Sequence, residues 1–451
     1  MADARTAVRL RAATPGAVDA DRRLLGDREV IFARCDPSIR RGALTPADGD
    51  TLADAAAHAR RARLPLVLSI ASSGADVTSG IDATFGWGRA AREITQCSGV
   101  VPVLMIAAGP AVSGPALLLG LADHVVMTAD AYAFVSGPRM VRDITGVAVD
   151  TAELGGAAVH VAQTGLAALV VEDETTALDA VEHLLSYLPS HVDEPPPERW
   201  SDDDPSRAAP LLRDLVPAAS SGTYDVRDAV RGIADDGELL ELRGTWAPNL
   251  VTCLASIGAR PVGVVANQPR AIAGTLDIAA SQKGARFVAF CDAFNLPILT
   301  LIDTPGFFPG KDLEWRGMIR HGAQLAFAYA RATVPRIAVV LRKAYGGAYI
   351  VMDSRPMGSD LYLAWPSAEV AVMGAKGAVE ILHRRASTEE RARAARGYEA
   401  SFLAPWPAAE RGSIDAVIDP ADTRAVVAGA LALLDSKQER LVARRHDNSP
   451  L

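Results

Sequence analysis

Tyr345-Gly346-Gly347-Ala348 is the stretch of this chain best placed to do chemistry, because it would act through backbone groups rather than side chains. It follows a strand-like apolar run, Ile337 to Leu341, opened by Pro335, and Ala348 to Asp353 reads as the first turns of a helix. Glycines fit where a strand must turn sharply into a helix. Such a turn points two or three unpaired N–H groups outward at the positive end of a helix dipole, which suits an oxygen that gains negative charge during a reaction. Gly-Gly after a strand also serves as plain turn chemistry, so the neighbouring sequence has to decide. A second Gly-rich turn runs from Gly109 to Pro115 and includes Ser113 and Gly114. The small-residue loop Ala71-Ser72-Ser73-Gly74-Ala75 could also bring N–H groups to a ligand.

The elements that must position these turns follow from composition and pattern. At 451 residues a single core is too few, and two domains are expected. The chain is 49% hydrophobic, 22% charged and only 5% aromatic, enough for cores built on Ala, Val and Leu. A net charge of −8 argues against nucleic acid or an anionic membrane as the main partner. Cys35, Cys97, Cys253 and Cys291 are scattered without a C-x-x-C pair, so they read as reduced, half-buried thiols rather than a zinc cluster or disulfide framework. No apolar run reaches the roughly 18 residues of a membrane span, and no secretory pattern opens the sequence, so a cytoplasmic location is expected.

From Met1 to Asp27 the pattern suggests a short helix or a loose arm. Arg28 to Cys35 reads as a strand, and Thr45-Pro46 as the N-cap and first turn of a helix to about Arg63. Leu66 to Ile70, a helix from Ala83 to Gln96 and a strand from Val101 to Ala107 follow. The second half then repeats the first. Leu64-Pro65-Leu66 answers Leu296-Pro297-Ile298, and Val101-Pro102-Val103 answers Val334-Pro335-Arg336, at offsets of 232 and 233 residues. Leu188 to Pro210 carries prolines and acids that cannot form a core and reads as a linker, dividing the chain into residues 1–200 and 201–451. Beyond it a helix is expected at Asp225 to Ile233, strands at Glu238 to Trp246, Leu250 to Ile257 and Val262 to Ala266, and a long helix after Trp315.

Between residues 225 and 436 lie ANQP, LDIAASQKGARFVAFCDAFNLPI, DTPGFFPG, IRHGAQLAFAYA, RKAYGGAYIVM, AWPSAEVAVMGAKGAVEIL and IDAVIDPADTR. These motifs resemble the carboxyltransferase β subunits of biotin-dependent acyl-CoA carboxylases, the propionyl- and acetyl-CoA carboxylase group. The first half is similar more faintly, at Val135 to Arg139, Glu153 to His160 and His183 to Ser190. The resemblance implies an α/β fold of two tandem crotonase-like ββα superhelical domains. In the family these assemble as a hexamer, a trimer of dimers, with acyl-CoA on the N-terminal domain of one subunit and carboxybiotin on the C-terminal domain of its partner. It further implies that carboxybiotin loses CO2, that its ureido nitrogen takes the α-proton of the thioester, and that the enolate attacks the CO2. Two oxygens gain charge, so two backbone oxyanion holes are implied, the C-terminal one at Gly347 and Ala348. Tyr345 and Gly346 beside it are expected to bind substrate, and Tyr349 and Ile350 fall where the family shapes its acyl pocket. An acid is common at the position of Ile350.

The first half departs from the pattern. The family's usual Gly-Pro-Cys-Ala-Gly-Gly-Ala is here Gly109-Pro110-Ala111-Val112-Ser113-Gly114-Pro115, and Pro115, opposite Ala348 in the repeat, has no N–H to donate. The donors would then be Ser113 and Gly114. The usual Asp-Ser-Gly-Gly-Ala-Arg is Ala71 to Asp76, so an acid replaces a base next to Gly74 and Ala75. Other residues have two readings each. His321 is a structural or interface histidine, or a base; Asp303 serves turn chemistry, or positions a loop beside biotin; Arg342 and Lys343 are solvated, or meet phosphate; Phe307, Phe308 and Trp315 line an apolar entrance, or pack. The chain has neither an ATP-binding region nor a Met-Lys-Met biotinylation motif, so the resemblance implies a separate biotin carboxylase and biotin carrier as partners. Two alternatives stand beside a carboxyltransferase: a decarboxylase of malonyl- or methylmalonyl-type thioesters, and a catalytically weak subunit in a mixed ring with another β subunit.

Overall fold

A computed structural model describes residues 8–9, 16–219 and 222–450. The chain divides into two compact units, Met1–Pro197 and Glu198–Leu451, and each is built on an eight-stranded sheet. The first unit holds β1 (Val8–Arg9), β2 (Val18–Leu25), β3 (Arg28–Cys35), β4 (Leu66–Ser72), β5 (Val103–Val112), β6 (His124–Thr128), β7 (Tyr132–Phe134) and β8 (Ala167–Val171). The second holds β9 (Leu240–Glu241), β10 (Leu250–Ile257), β11 (Arg260–Asn267), β12 (Ile298–Thr304), β13 (Arg336–Tyr345), β14 (Leu361–Ala364), β15 (Glu369–Ala371) and β16 (Ala416–Val417). The orders are the same in both: β1-β2-β3-β4-β5-β6-β8 with β7 on β5, and β9-β10-β11-β12-β13-β14-β16 with β15 on β13. β2 to β4 recur 232 residues later as β10 to β12, and β5 recurs 233 residues later as β13.

Each sheet starts as an antiparallel hairpin and turns parallel from its third strand. Parallel strands are covered on both faces, and β4 and β12 are accordingly buried at every position. The covering helices are specified locally. The helix Pro46–Ala62 starts with a capping box between Thr45 and Asp48 and a proline in its first turn. Its counterpart Ile278–Ala293 starts at Asp277, whose carboxylate accepts from the Ala280 N–H at 2.8 Å. In the first unit Pro46–Ala62 lies directly on the helix Ile81–Thr95: a Cβ on Gly49 would stand 2.2 Å from the backbone of Gly86. That approach is open only to glycine.

Several expectations need correction. Val18–Leu25, within the segment read as a helix or loose arm, is a strand paired antiparallel with β3; residues 1–7 and 10–15 lie outside the described residues. Of the strand expected at Glu238 to Trp246 only Leu240–Glu241 forms, because Arg243 takes a left-handed backbone angle, φ 57°. β5 runs on to Val112, so the turn there is Ser113 to Pro115 alone. Residues 198–209 form no helix or strand but are fastened to the second unit by Arg424, which is fully buried. Its guanidinium donates to the carbonyls of Ile233 at 2.7 Å, Asp203 at 2.9 Å and Asp204 at 3.1 Å. All four cysteines are buried rather than half-buried, Cys35 and Cys97 in the first unit and Cys253 and Cys291 in the second. No helix among the described residues is long and apolar enough to cross a membrane.

Candidate active site

In the second unit β13 ends at Tyr345 and the helix Gly346–Val351 begins at the next residue. Gly346 makes that possible: its φ is +58°, and a Cβ there would lie 3.1 Å from the Val372 carbonyl oxygen. Gly347 and Ala348 are the second and third helical residues, so the helix ladder offers their N–H groups no carbonyl. The Phe307 ring lies over this turn, 3.5 Å from where a Cβ of Gly347 would sit. It is held there by the pairing of Leu276 with the 306–308 loop, where the Phe308 N–H donates to the Leu276 carbonyl at 2.8 Å. Tyr345 is buried and donates its hydroxyl to Glu369, and burial foremost, then that bond, raises its pKa. Tyr349 packs edge-on against Tyr362 at 6.1 Å, while Ile350 is 37% exposed and presents an aliphatic surface. Beside Tyr345 lies a cavity of about 560 Å³ whose charged lining is balanced, Lys343 and Lys376 against Glu369 and Glu399.

The corresponding turn of the first unit keeps the backbone path with other residues. Ser113 stands where the second unit has Gly346 and adopts the same left-handed conformation, φ 64°. Its N–H donates to the Phe134 carbonyl at 2.9 Å, so the sequence-predicted donor at Ser113 is already engaged. Pro115 has no N–H, and that of Ala116 is bound to the Ser113 carbonyl at 3.0 Å. Of the turn's backbone donors the Gly114 N–H is left. Gly114 faces Trp87, whose ring atoms would lie 2.7 to 3.0 Å from a Cβ at that position. Gly74 and Ala75 flank the turn: a Cβ on Gly74 would be 3.6 Å from that of Ser113. The loop is fixed by Leu44, whose N–H donates to the Gly74 carbonyl at 2.9 Å and whose carbonyl accepts from Asp76 at 2.8 Å. Asp76 turns its carboxylate onto Thr78 and Ser79 of its own loop, and the Ser79 bond leads in holding its pKa low.

The other sequence candidates fall into structural places. Asp303 lies in β12, 1% exposed, and accepts from Tyr224 at 2.9 Å and the Lys343 N–H at 3.1 Å, with Arg342 at 2.9 Å. It joins β12 to β13 below the turn. Arg342 is buried in that ion pair and is not a solvated strand end. His321 bridges two helices, with Gln282 at 3.2 Å and Gln324 at 3.1 Å. Sequence reasoning missed Glu369, Phe134 and Trp87. Two of them carried a visible signal: Glu369 lies within the motif AWPSAEVAVMGAKGAVEIL, and Trp87 stands between two glycines on the helix Ile81–Thr95.

Residues 17–449 match the carboxyl transferase domain model. The chain belongs to the carboxyl transferase family. This carboxyl transferase is 44% identical to the propionyl-CoA carboxylase beta chain of Roseobacter denitrificans over 84% of its own length and 75% of that protein. It is 41% identical to methylmalonyl-CoA decarboxylase subunit alpha of Veillonella parvula over 86% of its length and 76% of the relative. Among solved structures it is similar to a transcarboxylase 12S described as a hexamer assembly with hydrolysed methylmalonyl-coenzyme A bound, at a TM-score of 0.95 and 41% identity, covering 96% of this chain and 85% of that one. As a carboxyl transferase it is an enzyme of the acyl-CoA carboxyl-transferring class, on two tandem crotonase-like ββα domains.

Proposed function

We propose that this chain moves a carboxyl group from carboxybiotin, carried on a separate protein, to the α-carbon of a short-chain acyl-CoA such as propionyl- or acetyl-CoA. The observation that carries this reading is the pair of ladder-free N–H groups at Gly347 and Ala348, opening a helix under the Phe307 ring. Carboxybiotin supplies the CO2 and a nitrogen that accepts the α-proton. The chain's part is electrostatic. Two N–H groups aimed at one oxygen stabilise the charge that develops there, and losing such a donor lowers the rate on the order of 100-fold or more. Gly347 and Ala348 serve the biotin side, and Gly114, shaped by Ser113 and flanked by Gly74 and Ala75, serves the thioester side. Tyr349 and Ile350 line the acyl pocket, with Tyr345, Gly346 and Phe307 holding the turn. An aliphatic residue at 350 favours an apolar acyl chain.

The partners in this reading are a biotin carboxylase, a biotin carrier and further copies of the chain. The test is incorporation of labelled bicarbonate into propionyl-CoA by the purified chain with those two proteins and ATP. Acid-stable label is expected. No label in propionyl-, acetyl- or butyryl-CoA would overturn it. The likeness to a methylmalonyl-CoA decarboxylase subunit supports a second reading, removal of the carboxyl group from methylmalonyl-CoA. Release of CO2 from that thioester without incorporation in the first assay would favour it.

A further inference from the structure

We propose that the indole Nε1–H of Trp87 supplies the oxyanion donor that Pro115 lacks. The proposal rests on the carboxyltransferase reading and concerns the first unit's turn. In the second unit two backbone N–H groups, at Gly347 and Ala348, lie beside Phe307, an aromatic ring with no donor. In the first unit one backbone N–H, at Gly114, lies beside an aromatic ring that has one. The donor count of the two turns is the same if the indole is included.

Three observations support this assignment. Trp87 Nε1 lies 3.0 Å from the position a Gly114 Cβ would occupy, so the indole N–H borders the Gly114 peptide. No residue accepts from it within the described structure, so its donor capacity is free. Nor is the atom sealed away: Trp87 packs against the core of the first unit while its Nε1 is absent from the buried, unpartnered groups. The open indole N–H and the one unpaired backbone N–H of the turn thus stand side by side. An indole is a donor only, so it can stabilise developing negative charge without competing for it.

The experiment measures the assembled enzyme with its carrier, comparing wild type with Trp87→Phe, which keeps a ring and removes the N–H. Carboxyl transfer should fall about 100-fold, the scale of one oxyanion donor, with KM for propionyl-CoA changed only a few-fold. Adding Pro115→Ala to Trp87→Phe returns a backbone N–H to the turn and should recover at least about ten-fold of that loss. The carbonyl stretch of bound, isotope-labelled propionyl-CoA should move to higher frequency in Trp87→Phe and back in the double variant. Should Trp87→Phe not fold, benzothienylalanine at 87 replaces the N–H by sulfur in the same outline and takes the same measurements. Wild-type rate and carbonyl frequency in either variant overturn the proposal, as does a loss that Pro115→Ala does not relieve. If wild type itself neither binds propionyl-CoA nor carboxylates it, the carboxyltransferase reading falls and this proposal with it. An active wild type with indifferent Trp87 variants removes this proposal alone.

Discussion

At Gly347 an added Cβ meets only the Phe307 ring, at 3.5 Å, an ordinary contact, so substitution there tests chemistry rather than folding. Gly347→Val should keep native melting while its branched side chain crowds the space in front of the N–H, lowering carboxyl transfer about 100-fold. Full activity with native melting would remove the residue from the site. Ala348→Pro deletes one N–H from the first turn of a helix, where proline fits the backbone, and Pro115 already occupies the matching place in the first unit. Turnover should again drop about 100-fold or more, with circular dichroism unchanged. Ser113 sits at a φ of 64°, a conformation glycine adopts freely. Ser113→Gly should therefore raise the first unit's stability by about 1 kcal/mol in urea titrations, and a loss of stability would show that the serine side chain has a supporting contact there.

The helix Ile278–Ala293 carries Lys283, which is 2% exposed and donates to the carbonyls of Arg243 at 2.9 Å, Trp246 at 2.9 Å and Ala247 at 3.4 Å. Those carbonyls belong to the irregular stretch that replaces the expected strand, so one side chain holds a turn that cannot pair. Lys283→Met strands them and should cost about 2 to 4 kcal/mol. Burial lowers this lysine from 10.5 to about 7. Because the folded state gives up the proton first, the lysine's contribution is full above pH 10.5 and lost as pH falls through 7. The stability gap between wild type and Lys283→Met should thus widen from pH 7 upward, and parallel melting curves across that range would contradict the assignment. The same contrast explains what could be read from sequence. β3 and β10 were legible to the residue because buried apolar runs announce themselves. β2 was not: Arg22 and Arg23 face outward and pair with Glu29 and Asp21, so the strand reads as polar until its hairpin partner is known. The turn at Gly346 and Gly347 was legible because backbone conformation dictates residue type. Trp87, Phe134 and Glu369 come to their turns only through tertiary packing, for which a single sequence carries no spacing rule.

On the scale of the whole molecule, large apolar side chains stand exposed on each unit: Ile81 at 66% and Phe85 at 58% on the first, Trp315 at 77% and Ile319 at 83% on the second. Surfaces of this kind usually meet a partner, and further copies of the chain are the partner we propose. Sedimentation at micromolar concentration should give a particle heavier than a single chain, and a monomer would end that proposal. The cysteines report on the two units separately. Each carries two buried cysteines, and burial pushes the Cys35 thiol up to about 12 and that of Cys97 to about 11, with Cys253 and Cys291 raised as well. At neutral pH the thiolate, which is the reactive form, is suppressed in all four while they stay buried. Alkylation therefore records exposure, and the pairs are separable by peptide mass. In a denaturant series, label entering Cys35 and Cys97 ahead of Cys253 and Cys291, or the reverse, would time the opening of one half of a duplicated protein against the other without any engineered probe.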